Sequence, residues 1–315
     1  MIEQFKIDVL EGLSKEKKTL SSKYFYDKIG DKLFQQIMAM PEYYLTRAEM
    51  EVLTTKSNEI VASFEMGKSS KFELIELGAG DGTKTIKLLE ELLTEGYDFE
   101  YLPIDISQHA LDGLETMLND KLPELKVRTM QGTYFNVLNK LKEKSEPKVI
   151  LFLGSNLGNL LDDEASNFLY ELGKSMHPGD KVLLGLDKLK SKEVVLPAYN
   201  DAGGITREFN LNLLDRMNRE LEADFDRTQF EHAPEYEIED GIAKSYIVSL
   251  CDQTVDIKSL NKIFEFRKGE KIHTEISRKY SEEILRTILK PTDFEIEAIH
   301  TDSKELFLNV ILNKN

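Results

Sequence analysis

The chain has 315 residues, 41% of them apolar and 31% charged, the profile of a globular protein with one large domain or two ordinary ones. Its 41 basic residues stand against 57 acidic ones, a net charge of −16 that excludes a phosphate-tracking surface, so neither nucleic acid nor an anionic membrane is an expected partner. Cys251 is the only cysteine, which leaves no disulfide framework and no cysteine-based metal site. The N-terminal MIEQFKIDVLEGL is acidic, unlike a signal peptide, and no apolar run reaches the roughly 18 residues that a membrane span needs. A cytoplasmic monomer or small oligomer is the expectation.

Residues 1–66 read as helical, with helical periodicity in 5–13, 33–40 and 47–64. Pro41 ends the second of these and Thr46 reads as the N-cap of the third. The adjacent Tyr43 and Tyr44 either pack this junction or present phenols to a cleft.

The stretch 72–85, FELIELGAGDGTKT, organises the rest of the chain. Leu74, Ile75 and Leu77 read as a buried strand that breaks at Gly78–Gly82 and re-enters a helical pattern with Ile86, Leu88, Leu89, Leu92 and Leu93 on one face. Such a turn lets backbone N–H groups approach a ligand, because no Cβ intervenes. The spacing is Gly-x-Gly-x-Gly and does not fit the Gly-x-Gly-x-x-Gly dinucleotide fingerprint. Glu76, just before the first glycine, suits a cationic ligand better than a pyrophosphate. S-adenosylmethionine (SAM), with its sulfonium and ammonium, fits better than a dinucleotide; a ligand-free tight turn is the third reading.

Strand and helix then alternate as in a parallel doubly wound sheet: strands at 99–106, 127–132, 149–153 and 181–186, helices at 110–118 and 164–176. The alternation stops at 188–235, which is polar and largely helical, with a helix at 210–221. Strand-like runs come next at 245–251, 263–266 and 271–277, then a helix at 280–289 and a closing antiparallel hairpin from 294–300 and 305–312. Five parallel strands and such a hairpin make an α/β fold, the Rossmann-like seven-stranded sheet of class I SAM methyltransferases, with a second α+β lobe. The expected SAM-binding domain is 67–190 with 286–315; the expected substrate-binding lobe is 1–66 with 191–285.

Ligands of open α/β sheets bind beyond the carboxyl ends of the strands. That rule gathers Gly78–Gly82, Asp105, Thr133, Tyr134 and Asn159. Asp105 can accept from a ribose diol in either a SAM or an NAD enzyme, or it can cap a turn. The five histidines have no metal-ligand spacing, and there is no Gly-x-Ser-x-Gly elbow or Walker lysine. In KIHTEIS, strict alternation puts Lys271, His273, Glu275 and Ser277 on one face and Ile272, Thr274 and Ile276 on the other. An exposed edge and a functional face are equally compatible with that pattern.

With these residues assembled, the chain resembles, nearly end to end, the SAM-dependent L-histidine Nα-methyltransferases of ergothioneine biosynthesis, which trimethylate histidine to hercynine. Tyr24–Asp27 with Gly30 and Leu33-Phe34, PEYYLTRAE, ELGAGDGTKT, YLPIDIS, GSNLGNL, PAYNDAGGITREFNLNLL, NRELEADFD and HTEISRKY carry the resemblance. It implies SAM contacts at Tyr26, Gly78, Lys84, Asp105, Thr133 and Tyr134. Tyr43, Asn159 and Tyr199 would surround the amino and carboxylate groups of the small-molecule substrate, and Phe34, Thr206, Glu275 and Ser277 its imidazole. Where the family usually has an acidic residue this chain has Thr133, and where it usually has a pocket methionine this chain has Ser245. No metal and no covalent catalytic residue are implied; Tyr43 and Asn159 position the reactants. The rival readings are a relative acting on a tryptophan-derived amino acid and a SAM- or dinucleotide-binding protein without methyl transfer.

Overall fold

The alternation that begins at Phe72 is present in the computed structural model, which describes residues 2–141 and 146–315. In chain order the elements are α1 (Ile2–Leu13), α2 (Lys28–Ala39), α3 (Tyr44–Thr55), α4 (Ser57–Ala62), β1 (Phe72–Leu77), α5 (Ile86–Thr94), β2 (Phe99–Asp105), α6 (Gln108–Lys121), β3 (Met130–Gln131), α7 (Tyr134–Leu141), β4 (Lys148–Phe152), α8 (Asp162–Gly173) and β5 (Lys181–Asp187). They continue with α9 (Lys192–Val195), α10 (Ile205–Leu221), β6 (Phe230–Glu237), β7 (Ile242–Ser249), β8 (Gln253–Ile257), β9 (Lys262–Phe266), β10 (Lys271–Arg278), α11 (Glu282–Leu289), β11 (Phe294–Thr301) and β12 (Phe307–Lys314).

The chain divides into two compact units, Leu45–Leu189 with Lys279–Asn315, and Met1–Tyr44 with Lys190–Arg278. The first holds the seven-stranded sheet, ordered β11-β12-β5-β4-β1-β2-β3. Strands β1 to β5 are parallel, and β12 runs antiparallel to both β5 and β11. β1 is buried along its whole length because helices cover both faces of the sheet. Its side chains alternate accordingly. Ile75 and Leu77 join the core with Val137, Leu169 and Ile288, while Phe72 and Leu74 join Val52, Phe64, Leu88 and Leu118. Each fully buried side chain of this kind contributes on the order of 1.5–3 kcal/mol. Ser107 and Ser281 start α6 and α11 by accepting from the N–H groups of Ala110 and Ile284, both at 3.2 Å.

The second unit builds a three-stranded antiparallel sheet, β10-β7-β6, and the pair β8-β9 around a core of Phe5, Val9, Phe209, Leu213, Ile247 and Ile272. Among the described residues, no helix is long and apolar enough to cross a membrane.

Several expected bounds move. The expected break at 66/67 falls between Tyr44 and Leu45, because Val52, Leu53, Ile60, Val61 and Phe64 of α3 and α4 bury against the large sheet. The expected return to that sheet at 286 comes earlier, at Lys279. The single helix expected over 47–64 is two, and Thr46 lies in the first turn of α3 rather than capping it. The strand expected over 127–132 is reduced to Met130–Gln131, with Val127 bridged to Tyr101. β6 and β8 were not expected, β6 falling partly in a stretch read as helical.

Candidate cofactor crevice and acceptor face

In the sheet unit, β1 lies between β2 and β4, the point where strand order reverses, and the crevice beyond those strand ends is where an α/β sheet holds its ligand. Gly78 has φ +74°, and a Cβ there would stand 2.7 Å from Tyr134 Oη. A larger residue would be strained and would displace the tyrosine. Gly80, with φ +56°, has nothing within 4 Å of its missing Cβ and leaves its backbone open to a ligand. Asp105 ends β2 half-buried, its side chain accepting from Ser107 N–H at 2.9 Å. Burial, with Asp105 and Glu76 adding to it, pushes the Tyr134 phenol up to about 12, so it is a neutral hydroxyl. Thr133 and Asn159 are exposed, the latter at the end of the 3₁₀ turn Asn156–Asn159. Asn156, which the sequence reading did not single out, has its amide nitrogen 3.6 Å from the Gly78 Cβ position.

Glu76 does not offer its carboxylate to this crevice. It is 3% exposed and shares with Phe72 and Leu74 the α5 face, where it accepts from Thr85 Oγ1 at 2.6 Å and from Tyr101 Oη. Burial raises it to about 7 against those hydrogen bonds. The sheet unit also contains a carboxylate that sequence reasoning missed. Glu49 on α3 is ion-paired with Lys84 and accepts from Gly154 N–H. Its only sequence signal was its place in PEYYLTRAE.

The other unit carries the remaining predicted residues. Tyr26, Phe34 and Tyr43 form an aromatic cluster with Phe209: Phe34 meets Tyr26 edge-on at 5.5 Å between centroids, Phe209 at 5.9 Å and Tyr43 at 6.4 Å. Tyr26, which the family pattern assigns to the cofactor, is 45% exposed here. Tyr199 is buried in the turn after Leu196–Ala198. Asp201 fixes the start of α10 by accepting from the N–H groups of Ile205 and Thr206, both at 2.8 Å, which places Thr206 on the first turn.

The pattern expected for β10 fails at Thr274. His273 pairs with Tyr246 and Glu275 with Ser245, so Thr274 is an extra, bulged residue. Opposed residues of an antiparallel pair share a face. Glu275 therefore lies with Ser245, and Ser277 with Ala243, on the inner face that Ile272 and Ile247 also occupy. His273 and Lys271 are not their companions. His273 turns outward against Tyr246, with ring centroids 5.3 Å apart. Thr274 Oγ1 is buried and within 3.0 Å of both Asn210 Oδ1 and the Ser245 carbonyl, while Asn210 Nδ2 donates to the Thr206 carbonyl at 3.1 Å. This network joins α10, β7 and β10. Among the described residues, no group of three or more His, Cys, Asp or Glu could hold a metal ion.

A seven-stranded sheet with a glycine cradle at its switch point, an Asp at the end of β2 and a tyrosine hydroxyl over the first glycine defines a class I SAM-dependent methyltransferase; these residues fit SAM, and SAM is its cofactor. The fold is similar to that of a solved mitomycin 7-O-methyltransferase (TM-score 0.50, 11% identity, covering 100% of this chain and 68% of that one). The chain belongs to the family described as histidine-specific methyltransferase, SAM-dependent, which matches residues 5–314. It is 35% identical over 273 residues to a protein named histidine N-alpha-methyltransferase from Mycobacterium tuberculosis, covering 87% of this chain and 83% of that one. A protein of the same name from Mycolicibacterium smegmatis is 34% identical, covering 89% of this chain and 86% of its own length. The protein is an N-methyltransferase.

Proposed function

We propose that the acceptor is the α-amino nitrogen of free L-histidine, methylated three times in succession to give Nα,Nα,Nα-trimethylhistidine, the hercynine of ergothioneine biosynthesis. The observation that carries this reading is the pair Glu275 and Ser277 on the inner face of β10. A carboxylate and a hydroxyl facing the same way can hydrogen-bond both nitrogens of an imidazole, whereas an indole has a single N–H. The names of the two mycobacterial relatives support it.

In this reading Gly78, Lys84, Asp105, Thr133, Tyr134 and Tyr26 hold SAM, which supplies an electrophilic methyl group. Tyr43, Asn159 and Tyr199 hold the acceptor's amino and carboxylate groups, and Phe34 and Thr206 flank its ring. A free α-amino group has a pKa of about 8, so a useful fraction is neutral without a strong general base. Tyr43 and Asn159 would orient the nitrogen lone pair toward the bound cofactor. Catalysis is then positioning and exclusion of water. Each transfer removes an N–H donor, so the contacts to nitrogen must accept growing methyl bulk.

The test is incubation with SAM and each amino acid, read by mass spectrometry. Histidine should gain one, two and then three CH₂ units. Glu275→Ala should weaken histidine binding about 10- to 100-fold by calorimetry, the cost of one charge-assisted hydrogen bond, while S-adenosylhomocysteine binding holds. Methylation of tryptophan with histidine untouched, or unchanged histidine affinity in the variant, defeats the reading.

A further inference from the structure

Glu49 is 1% exposed on α3. A carboxylate removed from water is costly unless donors meet its lone pairs and a cation meets its charge. Both conditions hold here. Gly154 N–H donates to Oε1 at 2.9 Å and lies 3.1 Å from Oε2, and the Lys84 ammonium pairs with Oε2. The sheet is shaped to admit the carboxylate, since a Cβ on Gly185 of β5 would stand 2.0 Å from Glu49 Oε1. The backbone at Gly185 does not have the positive φ that calls for glycine; what calls for it is close packing, chiefly against Glu49 and also against the Leu153 Cα, 3.1 Å from the Cβ position. The ammonium of Lys84 also lies against the turn after β4, 3.1 Å from where a Cβ on Gly154 would be.

These contacts join the residues just after the glycine loop, the turn after β4 and the strand β5 at one buried carboxylate. Lys84 keeps 24% of its side chain exposed and Glu49 keeps 1%, so the pair faces the outside through the lysine. A lysine on a free four-carbon stem loses rotamer freedom when it meets an anion. One already held in place does not. We infer that Glu49 is a positioning residue of the cofactor crevice, fixing the Lys84 ammonium and the turn at Gly154 where they meet the carboxylate end of SAM. The inference rests on the proposed assignment of Lys84 to the cofactor.

The test is calorimetry of S-adenosylhomocysteine, which has the same amino and carboxylate groups as SAM and no methyl to transfer, on the full chain without acceptor. Glu49→Gln keeps the volume and an acceptor for Gly154 but loses the charge. It should weaken binding by about tenfold, the equivalent of one tuned charge-assisted contact. Lys84→Met should weaken it similarly, and adding Glu49→Gln to Lys84→Met should cost less than about twofold more, because both remove one coupled unit. Unchanged or tighter binding in Glu49→Gln overturns the inference. So does an equal loss with and without Lys84, which would mean that Glu49 acts through the fold alone. Unchanged binding in Lys84→Met removes the lysine assignment and this inference with it, while the histidine reading is judged separately by product masses. If Glu49→Gln does not fold, Gly185→Ala decides: its Cβ displaces the carboxylate without altering any charge, although it also presses on the Leu153 backbone. It should therefore weaken binding to the same degree only while Lys84 is present, and no change, or an equal loss in Lys84→Met, overturns the inference.

Discussion

Replacing Thr274 with valine swaps one hydroxyl for a methyl of nearly the same shape at a position that is 2% exposed. The hydroxyl reaches both Asn210 Oδ1 and the Ser245 carbonyl at 3.0 Å, and Asn210 is 0% exposed. Valine strands a buried acceptor, at a cost of about 1–3 kcal/mol. For a domain of this size that is a fall in melting temperature of roughly 3–10 °C. The larger consequence is local. A one-residue slip in strand pairing turns every side chain to the opposite face, and here the bulge is what brings Glu275 and Ser277 inward. Loosening it should weaken histidine binding at least several-fold while S-adenosylhomocysteine binding is unaffected. Thermal melting and calorimetry with each ligand measure both effects. An unchanged melting temperature, or equal losses for the two ligands, would show that the network does not hold the bulge.

Two further outcomes are expected from the same geometry. His232, on the inner face of β6, has a buried Nε2 without a hydrogen-bond partner among the described residues, and burial lowers it to about 4, opposed by Asp201 and assisted by Arg207. Its neutral form is favoured in the fold, so its contribution is complete above pH 6.5 and is lost as pH falls toward 4. A shift of that size is worth about 3 kcal/mol. Denaturant midpoints measured from about pH 4 to 7 should slope steeply in the native protein and much less in His232→Phe; equal slopes would refute the assignment. Gly78→Ala should destabilise the fold by about 1–2 kcal/mol through its left-handed backbone. By moving Tyr134 it should also weaken S-adenosylhomocysteine binding about tenfold or more, and calorimetry showing intact binding would contradict the cradle.

The parallel sheet was legible because its strands are short apolar runs with glycine or aspartate at their ends, and because β1 to β5 alternate with helices. β6 was hidden by its own composition: FEHAPEYE has three glutamates and Pro234, which reads against a strand until its inner residues Phe230 and Tyr236 are seen to be buried. Period-two reasoning located Glu275 and Ser277 together, and they do share a face. It could not see the extra residue at Thr274, so it gave them His273 as a companion, set Ile272 on the opposite face, and left open whether their own face was exposed or functional. The same limit applies to carboxylates. Sequence placed Glu76 at the mouth of the crevice but not its direction, and it marked Glu49 only by its place in PEYYLTRAE, with no sign of burial, since a glutamate on a helix is most often solvated.

Lys188 bridges Tyr280 in parallel, and Leu189 N–H donates to the Tyr280 carbonyl at 2.8 Å. The long excursion from Lys190 to Arg278 thus departs from and rejoins the sheet unit at adjacent, already hydrogen-bonded positions. Topologically it is a cassette spliced into a single gap. Its strands lie in sheets of their own, so a change of length there alters no strand neighbour in the large sheet, while its core, shared with Phe5 and Val9 of α1, ties the part of the chain that carries Glu275 and Ser277 to residues 1–44.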